Sequence, residues 1–289
     1  MKKSLFVVLL ALLSIGLSAQ EASEAGWKKG GMGSVTFSQV SLTNWAAGGE
    51  NSISANLLFN AFANYKKEKF TWDNTFDLGY GLLKQSENDA RKTDDRIEVS
   101  SKAGQYAFKS WYYSGLVNFK TQMVEGYDYA VSDVNVISNF MAPAYLTIAL
   151  GMDYKPNDDF TLLVAPLTGK MTIVNDDTLS AAGAFGVDPG ENLRNEFGGF
   201  IKAVYKKGLV ENVDMQTKLE LFSNYMENPQ NIDVNWELLL VMKINEFLTA
   251  NLSTQLLYDD DVKIANDDGS SSPKIQFKEV FGVGLSYKF

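Results

Sequence analysis

The sequence predicts an all-β fold in a single domain: a transmembrane antiparallel up-and-down β-barrel of about twelve strands, following an N-terminal signal peptide. Three observations predict it. Apolar residues recur with a period of two along most of the chain, so one face of each segment is greasy and the other mostly polar. The alternating segments run about 10 to 16 residues, longer than soluble strands but suited to a tilted membrane crossing. Beyond the first residues, no apolar stretch approaches the roughly 20 residues that a spanning helix requires.

Taken in order, Lys2 and Lys3 precede an apolar run from Leu5 to Leu17, and Ser18-Ala19-Gln20 offers a small residue at a cut after Ala19. This reads as a cleaved export signal over residues 1–19. Residues 20–32 read as a periplasmic N-terminal segment, and residues 33–289 as the outer-membrane barrel of a Gram-negative bacterium. The strands are expected near 33–45, 51–66, 70–84, 95–108, 111–124, 140–155, 160–174, 194–206, 212–226, 232–245, 247–259 and 274–289. The clearest alternation is Ile232, Val234, Trp236, Leu238, Leu240, Met242 and Ile244. In the segment from Phe70 to Leu82, Asn74 alone interrupts the apolar face.

Two segments break the rhythm. Val35 and Phe37 fall on the opposite face from Val40 and Leu42, and Phe160, Leu162 and Val164 are out of step with Met171 and Ile173. Pro166 and Gly169 lie between the latter sets, which predicts a bulge or kink there. Aromatic residues gather near strand ends, as an interfacial girdle requires. Connections alternate between short and long, and an even strand count puts both termini in the periplasm with the short turns.

Composition narrows the function. The chain has no cysteine and a net charge of −9, so it has no disulfide or thiolate site and is ill suited to nucleic acid. It also has no histidine, the base on which hydrolytic barrel enzymes rely. No Ser-Lys or nucleophile-elbow pattern replaces it. The reading is therefore of a protein that is not an enzyme and needs no cofactor or metal.

Alternation places Asp73, Asp77, Arg96, Glu98, Lys102, Lys120, Asp153, Glu196, Lys202, Asp214, Lys218, Glu220, Asp233, Glu237 and Lys243 toward the lumen. Such a mixture suits a narrow passive channel for small polar solutes, whose charges bias solute choice. It equally suits a closed barrel in which cations and carboxylates neutralise one another, leaving the protein as a structural or interaction subunit of an envelope complex. A transporter of hydrophobic ligands is a third reading, in which the inward Phe62, Tyr106, Tyr112, Phe200 and Phe222 matter, although they are scattered over several strands. In the acidic loops, Asp259-Asp260-Asp261, Asp267-Asp268 and Asp176-Asp177 lack a calcium-loop spacing and read as solvated charge. The segment Asn175–Leu193, rich in Ala and Gly, is long enough to fold inward but reads as an exposed loop.

The segments VTFSQVSLTNWAAGG (Val35–Gly49), NFMAPAY (Asn139–Tyr145), Tyr154-Lys155-Pro156 and APLTGK (Ala165–Lys170) resemble the domain of unknown function 3078 family of predicted outer-membrane β-barrel proteins. The similarity runs over nearly all of the chain after the signal. It implies the barrel and brings no assigned activity. Asn44, Trp45, Pro166, Gly169 and Lys170 carry the motifs, and the last three are expected to form a bulge that aims Lys170 at the lumen or a loop, beside Asn44 and Trp45. Tyr287 and Phe289 end an alternating aromatic run that resembles the terminal-strand signal read by the barrel-assembly machinery. Outer-membrane lipid and that machinery are the expected partners, beside any envelope protein.

Overall fold

The computed structural model describes residues 26–289, apart from 44, 45, 48, 87, 130–133 and 267–269. The signal segment, Asn44, Trp45 and Asp267-Asp268 lie outside the described residues. Twelve antiparallel strands close into one barrel: β1 (Gly26–Val40), β2 (Ser52–Lys67), β3 (Phe70–Gln85), β4 (Arg91–Phe108), β5 (Trp111–Thr121), β6 (Ala144–Tyr154), β7 (Phe160–Ile173), β8 (Leu193–Val210), β9 (Val213–Asn224), β10 (Asp233–Lys243), β11 (Leu248–Tyr258) and β12 (Gln276–Lys288). Each strand pairs with its neighbours in sequence, and β12 returns to β1. The number and order are those expected from the alternation.

The molecule is inside-out relative to a soluble protein. Large apolar side chains such as Phe37, Tyr113, Leu150, Phe277, Phe281 and Leu285 are more than half exposed on the outer wall, while Glu98 and Asp153 are almost fully buried inside. Only a hydrocarbon surround makes that arrangement stable, because a closed ladder satisfies the backbone while the outer side chains meet lipid.

One end carries the short connections 68–69, 109–110, 155–159, 211–212 and 244–247. The tightest turns rest on left-handed residues, with φ of 47° at Glu68, 53° at Lys109 and 66° at Asn212. Aromatic side chains rim this end. Trp27 lies 5.3 Å from Tyr65 and 5.6 Å from Trp72 between ring centres, Trp111 lies 5.0 Å from Tyr154, and Phe289 stacks on Phe59 at 6.1 Å. Both Gly26 and Phe289 sit at this end, where Gly31 and Phe289 exchange two backbone hydrogen bonds of 3.0 Å.

The structure corrects the first strand. It begins at Gly26, inside the segment expected to precede the barrel, and ends at Val40 instead of residue 45. The parity change between Phe37 and Leu42 is a strand end. The missed half is Gly30-Gly31-Met32-Gly33, opposite Phe62, Ala61, Asn60 and Phe59 of β2; glycines leave no alternation to read. Strand β5 also stops early, at Thr121, because the Asp95 carboxylate accepts from the N–H groups of Met123 and Val124 at 2.8 and 3.0 Å in place of a strand partner.

The bulge in β7 is present. Its register shifts against both β6 and β8, so that Val164 and Leu167 face out while Ala165 and Thr168 are buried within. The bulge lies between Ala165 and Thr168. Gly169 is outside it, paired regularly with Ile148 and Phe197.

The longer connections lie at the other end. Residues 174–192 form an ordered cap: a short helix, α1 (Asp177–Ala181), is N-capped by the Asp176 carboxylate, which accepts from the N–H groups of Thr178 and Leu179. Val174, Leu179 and Val187 are buried there against Ala142 from the preceding connection. The expectation of an exposed loop fails because the alanines and valines of this segment form a small core of their own.

Candidate functional site

The lumen is built by alternation, and its charged side chains sort by height into three tiers. At mid-height, Arg96 and Glu98 on β4 face Lys218 and Glu220 on β9 and Glu237 on β10. Arg96 donates to Glu237 at 2.9 Å. Lys218 donates to both oxygens of Glu98, at 3.2 and 3.0 Å, and lies 3.1 Å from Glu237. Lys202 lies 2.8 Å from Glu220 and 4.0 Å from Glu98, and Lys120 lies 3.8 Å from Glu237. Asn118 donates to Glu98 at 2.9 Å, Asn60 to Asp77 at 2.6 Å and Asn235 to Glu220 at 2.9 Å.

The four cations Arg96, Lys120, Lys202 and Lys218 therefore meet three carboxylates, Glu98, Glu220 and Glu237, beside Asp77, which Asn60 holds. Strands β4 and β10 are six steps apart in either direction round the barrel, so the Arg96–Glu237 bond joins opposite walls. A charge taken from water needs such a partner and further hydrogen bonds; Glu98 and Glu237 have both, while Asp77 is held by the Asn60 amide.

Toward the short-turn end, Lys102 pairs with Asp153 at 2.7 Å and donates to Thr161 at 3.1 Å. Lys155 binds Asp73. Lys206 stands 5.9 Å over the Phe62 ring, again between opposite strands, β8 and β2. Tyr106 and Tyr112 meet edge to face at 5.7 Å. Lys243 and Asp214 are 3.9 Å apart, with side chains 43% and 54% exposed; they sit at the rim and add nothing to the buried network.

At the long-loop end, Lys170 lies 2.6 Å from Asp233, 3.5 Å from Glu196 and 3.7 Å from Asp259, and 4.9 Å over the Phe222 ring. The bulge sets this aim, because without the parity change Lys170 would point at lipid. Arg194 binds Asp261 and Glu196 and donates to the Gly186 carbonyl, tying two of the long connections to the barrel. Asp260 accepts from Asn231 and Tyr258. The acidic run 259–261 is thus a set of latches, not solvated charge. Lys278 and Asp94, 2.6 Å apart, add a bridge from β12 to β4.

Several of these residues escaped the sequence reading. Arg194 and Lys206 share parity with their predicted inward neighbours Glu196 and Lys202, and Lys278 alternates with the apolar Phe277 and Phe281, so parity alone could have found them. Asp95 and Asp261 act from strand ends and loops, where parity has no meaning. The inward phenylalanines are less scattered than expected: Phe200 and Phe222 are direct cross-strand partners, packed with Leu116, Ala149, Leu163 and Ala165 in one buried cluster. Pro166 is exposed on the bulge, and Tyr287 and Phe289 stack at 6.4 Å on the outer wall.

Comparison with known proteins follows this geometry. Residues 37–127 match a family model described as protein of unknown function (DUF3078). That is the family whose motifs the sequence resembles. The match covers under a third of the chain, from the end of β1 to just beyond β5, and so takes in most of the first motif and none of the later ones. No curated protein matches.

Similar solved structures include the translocator domain of autotransporter NalP from Neisseria meningitidis, at 11% identity and a TM-score of 0.38, covering 99% of this chain and 95% of that one. The COG4313 outer membrane channel from Pseudomonas putida F1 shows 11% identity and a TM-score of 0.39, covering 95% and 100%. OmpT, an outer membrane protein of Vibrio cholerae, shows 8% identity and a TM-score of 0.30, covering 94% and 100%. With its apolar outer wall and closed ladder, the chain is an integral outer-membrane β-barrel.

Proposed function

We propose that this barrel is closed to solutes and acts as a structural or interaction subunit of the cell envelope, with its short turns and both termini in the periplasm. The observation that supports this most is the set of contacts joining opposite walls: Arg96 with Glu237, Lys218 with Glu98, and Lys206 over Phe62. Each sets side chains from facing strands across the lumen at its level. A polar channel whose charges select solutes would keep like charges on one wall and water between the walls; here cation and carboxylate close on each other. The apolar cluster around Phe200 and Phe222 is buried against its neighbours, which weighs against a hydrophobic-ligand transporter.

Single-channel recording of the refolded protein in a planar bilayer tests the reading. Folded protein should be silent, and Arg96→Ala with Lys218→Ala and Lys206→Ala should give steady conductance steps by removing all three cross-lumen cations. Regular steps from the unaltered protein would overturn the closed lumen in favour of the narrow channel.

A further inference from the structure

The seam at which the barrel closes is incomplete. Strand β12 pairs with β11 from Leu285 up to Gln276, and β1 pairs with β2 from Gly26 up to Val40. Between themselves, β1 and β12 pair only from Met32–Lys288 to Thr36–Gly284. Above that point the ladder between them stops. Among the described residues, nothing pairs with the facing edges of Phe37–Val40 and Gln276–Val283.

The split lies inside the apolar belt. From Tyr287 to Phe277, tilted strand geometry covers about 25 Å, the full height of such a belt, and the split occupies its upper half. Phe37, Phe277 and Phe281 flank it, each more than 60% exposed on the outer wall. Backbone N–H and C=O groups left free in hydrocarbon cost several kcal/mol apiece, and an alkyl chain cannot satisfy them. An added β-strand can.

A second feature identifies the strand's chemistry. Glu279 points outward between Phe277 and Phe281 and is exposed. A carboxylate on a lipid-facing wall is unfavourable, and a cationic side chain on a neighbouring strand would neutralise it. Pairing of this edge with the same edge of a second copy would instead bring two Glu279 side chains together.

Building on the reading of the barrel as an interaction subunit, we infer that the β1–β12 split is a docking slot. Its occupant is an extended segment of another envelope protein, apolar on alternate residues and carrying Lys or Arg opposite Glu279. The slot supplies main-chain hydrogen bonds on both sides, and Glu279 fixes the register.

The test is photo-crosslinking of the full chain in its native outer membrane. A photoreactive residue replaces Phe281, and in a control replaces Ile148, which faces lipid from β6 between two paired neighbours. A protein adduct several-fold stronger at 281 than at 148 is expected, with the crosslinked peptide an extended segment containing Lys or Arg. Oxidising a Phe37→Cys, Val283→Cys pair should close the slot and remove the adduct. Glu279→Lys should weaken it several-fold while the barrel still shows its gel shift on boiling, which keeps the test valid if the cysteine pair misfolds.

Adducts to lipid alone, to the same chain or to a second copy, or equal adducts at 148, would overturn the slot. Conductance separates the two readings: a conducting barrel with the adduct overturns only the closed lumen, and a silent one without it overturns only the slot.

Discussion

Glu98 shows how charge is held inside this barrel. It is 2% exposed, yet it accepts from Lys218 twice and from Asn118 once. Lys218 in turn serves Glu237; its loss leaves Glu98 with Asn118 and a Lys202 at 4.0 Å, while Glu237 keeps Arg96. Breaking one side of a buried pair costs about 3–5 kcal/mol, far more than a surface pair contributes. Lys218→Met should lower the unfolding free energy of the vesicle-embedded protein in urea by about 3 kcal/mol, and adding Glu98→Gln should restore part of it. A loss below about 1 kcal/mol would place these pairs with solvated surface ones. The outer wall obeys the same rule. Asn74, the polar exception on the apolar face of β3, donates to the Ala63 carbonyl at 3.0 Å and accepts from Ser101 at 2.8 Å, while Ser101 accepts from Trp72 at 2.9 Å. Its polarity is satisfied before lipid meets it.

A bulge needs room in the strand beside it, and on β6 that room is Gly151. A Cβ there would lie 2.1 Å from the Val164 carbonyl oxygen and 2.5 Å from the Ala165 Cα, both backbone atoms fixed by the bulge. Gly151→Ala should therefore either block folding or cost several kcal/mol, read by the gel shift of the unboiled protein and by urea unfolding. Gly169, three residues further along the β7 motif than Pro166, is the internal control: a Cβ there meets nothing within 4 Å, and Gly169→Ala should change stability by less than about 0.5 kcal/mol. Equal effects of the two would show that the bulge can move. Because the bulge turns Lys170 into the lumen, this one irregular element decides where a three-carboxylate cluster finds its cation.

Across the whole molecule, stability is shared unevenly round the ring. Most neighbouring strands pair along ten or more residues, whereas the closing seam has five pairs and the mutual bonds of Gly31 and Phe289. The aromatic pile of Phe59, Phe289 and Tyr287 supports that seam from outside. Deleting Tyr287–Phe289 removes two of the five ladder pairs with the pile. The fraction of chain recovered from outer membranes as a heat-modifiable barrel should fall several-fold. Undiminished assembly would show that closure and recognition by the assembly machinery rest elsewhere.

The sequence by itself determined the fold class and the number of strands, because side-chain direction in a strand depends only on parity and the hydrocarbon outside makes parity visible as hydropathy. It also located the slip in β7, where apolar residues change parity around Pro166. It did not determine the first half of β1, where glycines carry no hydropathy signal. Nor did it show that the carboxylates of 259–261 are latches or that 174–192 packs its own core, since loop residues have no periodic face. Which cation meets which carboxylate was decided only by tertiary structure: Arg96 and Glu237 are 141 residues apart and become neighbours only when twelve strands curve round to bring opposite walls together. The open seam is likewise a property of closure, fixed by where β1 and β12 part and invisible in either strand alone.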